Sequence, residues 1–223
     1  MPFKYSSFIS YRRETERNKF VENFCRHLRS RAFDACNSET IFLDNDNILP
    51  GDDFPERIYE AIRNSYYFTL FHNYHYLHTE NLWCAKELKY ALDVEVARRS
   101  VLNEEDKDQY NWIFPLIVRG NLSDLPPVIG NRHGIHIGKF ESAINSQRPL
   151  PQKISDFFDD IYDKLISLYK IYEKYPSGYF DNCTNEIVYA TDEEIVEWIK
   201  IQKEAANVSE TVNKPILIKN EEG

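Results

Sequence analysis

A tryptophan and a glutamate lie four residues apart in the segment Trp83-Cys84-Ala85-Lys86-Glu87-Leu88. The segment opens a stretch rich in helix-forming residues, and residues four apart share one face of a helix. A carboxylate beside an indole ring suits a sugar or a flat cationic ring, because it joins an acceptor for hydroxyl groups to an aromatic surface. This pair is therefore the first candidate for chemistry in the chain.

Short apolar segments alternate with amphipathic segments along the first three quarters of the chain. The apolar segments predict strands at residues 5–11, 40–43, 66–71, 112–118 and 135–137. The amphipathic segments predict helices after residues 11 and 53, and at residues 82–96, 154–172 and 192–206. Strands that alternate with helices predict an α/β fold with a parallel sheet flanked by helices. Residues 120–134 contain Pro126-Pro127 and are predicted to form a loop.

Polar residues follow the first three predicted strands. Residues 10–13 follow the first strand, residues 44–53 the second, and residues 72–79 the third. The carboxyl ends of parallel strands meet at one edge of a sheet, so these loops are expected to be neighbours there. The chain has only seven glycines, with neither GxGxxG nor GxxxxGK[ST]. Their absence excludes a conventional dinucleotide-binding dehydrogenase and a P-loop protein.

The charge pattern separates the chain into two parts. The net charge is −9, and residues 175–223 hold 10 of the 36 Asp and Glu but only 4 of the 27 Lys and Arg. We therefore predict a core domain at residues 1–174 and an acidic C-terminal extension at 175–223, in which the helix at 192–206 is followed by a short apolar strand at 215–218. The acidity argues against nucleic acid as a partner. No apolar run has membrane length and no signal peptide is visible, so a cytoplasmic location without membrane contact is expected.

Simpler interpretations exist for each candidate residue. Glu87 could be a solvated helix residue, and Arg12 and Arg13 could pair with nearby acidic residues. His72, His75 and His78 form an HxxHxxH pattern that invites a metal. The pattern lies in a predicted loop, with only Glu80 and Cys84 nearby as further ligands, so no metal site is predicted.

Three motifs follow one another along the chain: Phe8-Ile9-Ser10-Tyr11-Arg12-Arg13, then Phe42-Leu43-Asp44 with a polar loop ending at Pro50-Gly51, and then the Trp83 to Leu88 segment. Together they resemble the Toll/interleukin receptor (TIR) domain family. Their order and spacing fit the family over about residues 3–174. The resemblance implies a flavodoxin-like fold with a five-stranded parallel sheet. The family contains signalling scaffolds and enzymes that cleave NAD.

The resemblance also implies roles for particular residues. In NAD-cleaving TIR proteins the catalytic residue is a glutamate four residues after a tryptophan in the third helix, and Glu87 matches it. NAD is then a substrate, and no cofactor is expected. The residues expected to bind NAD are Phe8, Ser10, Tyr11, Arg12, Arg13, Asp44, Leu49 and Trp83. The histidine-rich loop at 72–78 departs from the family pattern, so no substrate contact is carried over to it.

The implied activity is that of an NAD glycohydrolase, ADP-ribosyl cyclase or transferase. The resemblance to stand-alone bacterial TIR proteins implies a nucleotide signal or NAD depletion in anti-phage defence, with a separately encoded effector or sensor as partner. Residues 12–34 hold seven Lys and Arg, whereas residues 39–60 hold seven Asp and Glu. Such complementary surfaces favour self-association through TIR faces. The alternatives are a noncatalytic TIR scaffold or host-directed protein that acts through TIR–TIR contacts, and a generic flavodoxin-like phosphate binder.

Overall fold

The structure is a computed structural model that describes residues 3–13, 18–36, 40–43, 53–121, 124–132, 134–146 and 150–212. The strands in these residues are β1 Ser7–Tyr11, β2 Ile41–Phe42, β3 Phe68–His72, β4 Ile113–Ile117 and β5 Ile135–His136. The α-helices are α1 Asn18–Cys36, α2 Phe54–Arg63, α3 Trp83–Val101, α4 Glu104–Gln109, α5 Pro127–Gly130, α6 Glu141–Ile144, α7 Gln152–Glu173, α8 Asp181–Asn185 and α9 Asp192–Val212.

The five strands form one parallel sheet in the order β2-β1-β3-β4-β5. β1 and β3 pair from Phe8 opposite Phe68 to Tyr11 opposite Phe71. This order is the flavodoxin-like arrangement, in which the chain first adds a strand on one side of β1 and then crosses to the other side. The predicted five-stranded parallel α/β fold is confirmed.

Helices cover both faces of the sheet. Every residue of β1, β3 and β4 is buried, which agrees with their largely unbroken apolar character. Phe71 of β3 packs against Phe24 of α1 with ring centroids 5.0 Å apart, and Phe24 lies 5.0 Å from Phe158 of α7. Ser10 of β1 contacts Glu87 of α3. Ser10 lies one position before the residue that pairs with Phe71, and successive side chains of a strand point to opposite faces of the sheet. Helix α1 therefore covers one face and α3 covers the other.

Four helices of the described residues, α4, α5, α6 and α8, lie where the sequence patterns predict none. Helix α4 is capped by Asn103, whose side-chain oxygen accepts a hydrogen bond from the Asp106 amide at 2.9 Å. Helix α5 lies inside the segment predicted to be a loop, and Pro127 occupies its first turn, where a missing N–H costs no hydrogen bond. Among the described residues, no helix combines the length and the apolar character needed to cross a bilayer.

The segment after α7 packs against the core domain. Tyr189 stacks on Tyr59 of α2 with centroids 4.0 Å apart, and its hydroxyl donates to Glu56 at 2.6 Å. Ile195 and Ile199 of α9 are fully buried and cluster with Ala85 of α3. The start of α3 therefore lies under the C-terminal helix. The division of the chain at residue 174 stays a prediction, and the short strand predicted at residues 215–218 lies outside the described residues.

Candidate active site

Helix α3 begins directly after the loop that follows β3. Side chains within this loop fix its path: Asn73 accepts a hydrogen bond from the His75 amide at 2.9 Å, and Asn81 accepts one from the Trp83 amide at 3.2 Å. Short side chains that bond to the backbone two residues on are typical of turns. The loop thereby starts α3 beside the carboxyl ends of β1 and β3.

A chain of hydroxyl groups leads to the carboxylate of Glu87. Ser10, the fourth residue of β1, donates its hydroxyl to Glu87 Oε2, and the hydroxyl of Tyr76 lies within hydrogen-bonding distance of Ser10 Oγ. Because Ser10 has one proton and gives it to the carboxylate, Tyr76 must donate to Ser10. Glu87 is only 7% exposed, so these hydroxyls replace part of its hydration. The structure thus brings Ser10 and Glu87 together, as their placement at the sheet edge predicts.

Tyr76 completes this chain and was not among the predicted site residues. It is fully buried, whereas Tyr74, two residues earlier, is 65% exposed. Burial, with the charges of Cys84 and Glu87 nearby, raises the pKa of Tyr76 well above its usual value, so the phenol keeps its proton and can donate. The spacing of aromatic residues in the loop carries no signal that separates these two tyrosines.

Trp83 lies one helical turn before Glu87 and is half-buried. Its ring packs edge-on against Phe54 of α2, with centroids 4.7 Å apart, and Lys86 Nζ lies 4.9 Å from its centroid. Lys86 also forms an ion pair with Asp192 of α9. Trp83 therefore joins α2 and α3 and still leaves part of its ring open to solvent.

The two arginines after β1 differ in placement. Arg12 is half-buried, and its guanidinium donates to the carbonyl oxygen of His75 at 2.8 Å. Arg13 is exposed, and Tyr11 is buried at the end of β1. Arg12 thus ties the first loop to the histidine-rich loop that carries Tyr76.

Phe8 does not lie at the surface of the site. It is 1% exposed and stacks between Phe42 and Phe68, with ring centroids 5.2 and 5.4 Å away. In this structure the rings of the two neighbouring strands flank Phe8 and leave almost none of it open to a ligand, and its contact with NAD stays a prediction. Asp44 and Leu49 lie outside the described residues, so their roles stay predictions.

The three histidines of the HxxHxxH pattern diverge. His72 is buried at the end of β3, whereas the rings of His75 and His78 lie 6.1 Å apart in the loop. His78 Nδ1 accepts a hydrogen bond from the Glu80 amide at 3.3 Å. Within the part of the chain that the structure describes, no group of three or more histidine, cysteine or carboxylate side chains is arranged to hold a metal.

Comparison with known proteins identifies the family. A family model for the TIR domain matches residues 8–147, which is more than half of the chain. Among solved structures, the chain is similar to the TIR domains in the structure of the activated Roq1 resistosome directly recognizing the pathogen effector XopQ. That match has 18% identity, covers 82% of this chain and 96% of that one, and has a TM-score of 0.36. No curated protein gave a significant match. On the family match, this chain belongs to the TIR domain family.

Proposed function

We propose that this TIR domain cleaves the bond between nicotinamide and ribose in NAD, with Glu87 as the catalytic residue. The observation that carries the proposal is the hydrogen bond from Ser10 to the buried carboxylate of Glu87. A solvated helix residue has no need of such a partner, whereas a catalytic carboxylate must be held in one orientation. The Ser10–Glu87 pair lies near the carboxyl ends of the strands, and flavodoxin-like folds bind their ligands at that edge of the sheet.

The chemistry requires only one carboxylate. Ordinary glycosidases protonate a leaving oxygen with one acid and use a second carboxylate on the other face of the sugar. The nicotinamide of NAD is already a cationic pyridinium, so the carbon–nitrogen bond breaks with its electron pair moving to nitrogen, and the ring leaves neutral. Positive charge then develops on the ribose, and a preorganised carboxylate stabilises it. Water or another nucleophile attacks the same carbon.

Other residues of the site would hold the rest of the substrate. Trp83 offers a partly exposed ring for a base or for the pyridinium. Arg12 and Arg13 follow β1 and supply guanidinium groups, which suit the pyrophosphate. Asp44 and Leu49 complete the expected set as predictions from the family pattern.

The test of the proposed function is product analysis after incubation with NAD. The protein is incubated with NAD in dilute solution and again with a crowding agent, because self-association through TIR faces is part of the proposal. Chromatography should show nicotinamide together with ADP-ribose, a cyclic isomer or an ADP-ribosyl conjugate. The product would separate NAD depletion from production of a nucleotide signal. A noncatalytic scaffold would leave NAD intact under both conditions.

Tyr76→Phe should lower kcat/KM for NAD cleavage about fivefold, because one hydrogen bond contributes about 1 kcal/mol. The variant keeps the buried ring and removes only the donor to Ser10. Loss of the Tyr76 donor weakens the hydrogen-bond chain that stabilises the ionised carboxylate of Glu87, so the acid limb of the pH–rate profile should also move to higher pH.

Tyr74→Phe is the matched control, since Tyr74 lies in the same loop but its side chain is largely exposed. It should leave both the rate and the pH profile unchanged. An unchanged acid limb in Tyr76→Phe would show that the hydroxyl chain does not act on Glu87.

A further inference from the structure

Helix α9 packs against the first turn of α3, which begins at Trp83. Ile195 and Ile199 lie one turn apart on α9, are fully buried, and cluster with Ala85. Residues four apart share one face of a helix, so a narrow apolar face holds α9 on the core domain. The proposed reaction uses neither this contact nor any residue of α9.

Lys86 connects this contact to the ring of Trp83. Its ammonium forms an ion pair with Asp192 in the first turn of α9 and also lies over the indole, 4.9 Å from the ring centroid. The side chain of Asp192 is 65% exposed, and an ion pair so open to water stabilises little by itself. The cation–π contact and the packing of Ile195 and Ile199 therefore keep the ammonium in place.

The ammonium of Lys86 occupies space that a substrate ring would need. Stacked aromatic rings have centroids about 4.5–7 Å apart, and the lysine nitrogen lies within that distance of the indole centroid. The nicotinamide ring of NAD is itself a cation, so it would meet a like charge on this face of Trp83. A pyridinium can stack there only after Lys86 has moved away.

We propose that Lys86 determines whether the cationic ring of NAD reaches Trp83, and that α9, while it is docked on α3, keeps Lys86 over the indole. When α9 detaches from Ala85, Asp192 leaves with it and the lysine side chain can turn toward solvent. This inference rests on the proposed function, because it concerns how NAD enters the same site. It adds a specificity-determining residue and a helix that controls it.

The contacts that hold the site together do not involve α9. Trp83 packs against Phe54 of α2, and Glu87 accepts its hydrogen bond from Ser10 of β1. Among the α9 side chains at positions 192–206, only two are buried. A segment with few buried apolar side chains opens at a lower free energy than the whole domain. Helix α9 can therefore detach while α3 keeps its place.

Calorimetric titration of the full chain with NAD and with NADH tests the proposal. NADH is the same dinucleotide with an uncharged nicotinamide ring, so the ratio of the two dissociation constants reports the effect of charge at that ring. Every protein in the series also carries Glu87→Gln, which slows cleavage of NAD during the titration. The titrations are run in dilute and in crowded solution.

Lys86→Met removes the cation and keeps an unbranched side chain of similar length. It should tighten the binding of NAD about fivefold relative to that of NADH, because a like charge close to the cationic ring is lost. Lys89→Met is the matched control. Lys89 lies in the next turn of α3 and pairs with Asp93, so the ratio of the dissociation constants should not change.

Ile199→Asp places a charge in the buried contact and should detach α9, which faster hydrogen exchange along α9 would show. It should tighten NAD relative to NADH in the same direction, by about threefold, because Lys86 is then released. Ile201→Asp is the matched control, since Ile201 is 52% exposed on the same helix. In the Lys86→Met background, Ile199→Asp should bring no further change in the ratio, because α9 acts through Lys86.

The proposal is overturned if Lys86→Met leaves the ratio of NAD to NADH affinity unchanged. It is also overturned if detachment of α9 weakens both dinucleotides equally, since the helix would then only support the site. Either result, with nicotinamide still released by the parent chain, contradicts control by Lys86 and leaves the proposed function standing. If no nicotinamide is released in any condition, the proposed function fails, and a shifted ratio in Lys86→Met would still support control of NAD binding by Lys86.

Discussion

The Glu87→Gln protein is expected to release nicotinamide from NAD about 10²- to 10³-fold more slowly than the unaltered protein, because one preorganised electrostatic contact to a transition state has roughly that effect. The amide has the shape of the carboxylate and can still accept the hydrogen bond from Ser10. It lacks the negative charge that would stabilise the developing positive charge on the ribose. The loss should therefore appear in kcat, measured by chromatography of nicotinamide.

Glu80→Gln is the matched control for this experiment. Glu80 lies in the loop just before α3 and its side chain is 84% exposed, so the same change of charge occurs nearby without touching the hydroxyl chain. Its rate should equal that of the unaltered protein. Both variants must be compared in the condition that gives the parent chain its highest rate. Equal rates for Glu87→Gln and the parent would assign the chemistry to another residue.

The fold could be predicted because its periodic patterns are local. Phe20, Phe24 and Leu28 recur every four residues and become the buried face of α1. Residues 113–117 show no alternation, and the structure buries all of them in β4. Helix α4 escaped prediction because its residues are almost all polar or charged, so it has no apolar face to reveal it.

The site could be predicted only in part. The Trp83 and Glu87 pair was visible as a spacing, and the end of β1 pointed to Ser10. Phe8, which the resemblance implies as a contact of NAD, lies two residues before Ser10 in the strand, about 6.6 Å deeper. At that depth its neighbours are strand residues and not loops. Tyr76 was missed because the fold of the loop decides which tyrosine turns inward, and no periodic pattern reports that.

Arg98 shows a further limit of sequence patterns. A basic residue in the last turn of a helix ordinarily faces solvent and interacts with the helix dipole. Here Arg98 is fully buried, with its guanidinium carbon 4.2 Å from the ring centroid of Phe3 and 4.7 Å from that of Trp112. It donates to the carbonyl oxygens of Arg63 at 2.6 Å and Ser65 at 3.1 Å. These acceptors are the last residue of α2 and a residue just after it, so Arg98 fastens the end of α3 to the segment that leads into β3.

Arg98→Ala is therefore expected to lower the free energy of unfolding by about 2–5 kcal/mol, which is the range for truncating a large side chain at a buried position. The change leaves buried carbonyl oxygens and the hydroxyl of Tyr172 without their donor, and it opens a cavity between two aromatic rings. Urea denaturation should show a lower midpoint.

Arg99→Ala is the control within the same helical turn, because Arg99 is exposed. It should change the free energy of unfolding by no more than about 0.5 kcal/mol. If the two alanine variants unfold at the same urea concentration, Arg98 contributes no more than a surface charge. If only Arg98→Ala is destabilised, a buried cation fixes the far end of the helix that carries Glu87, whereas its near end is held by packing against α2 and α9.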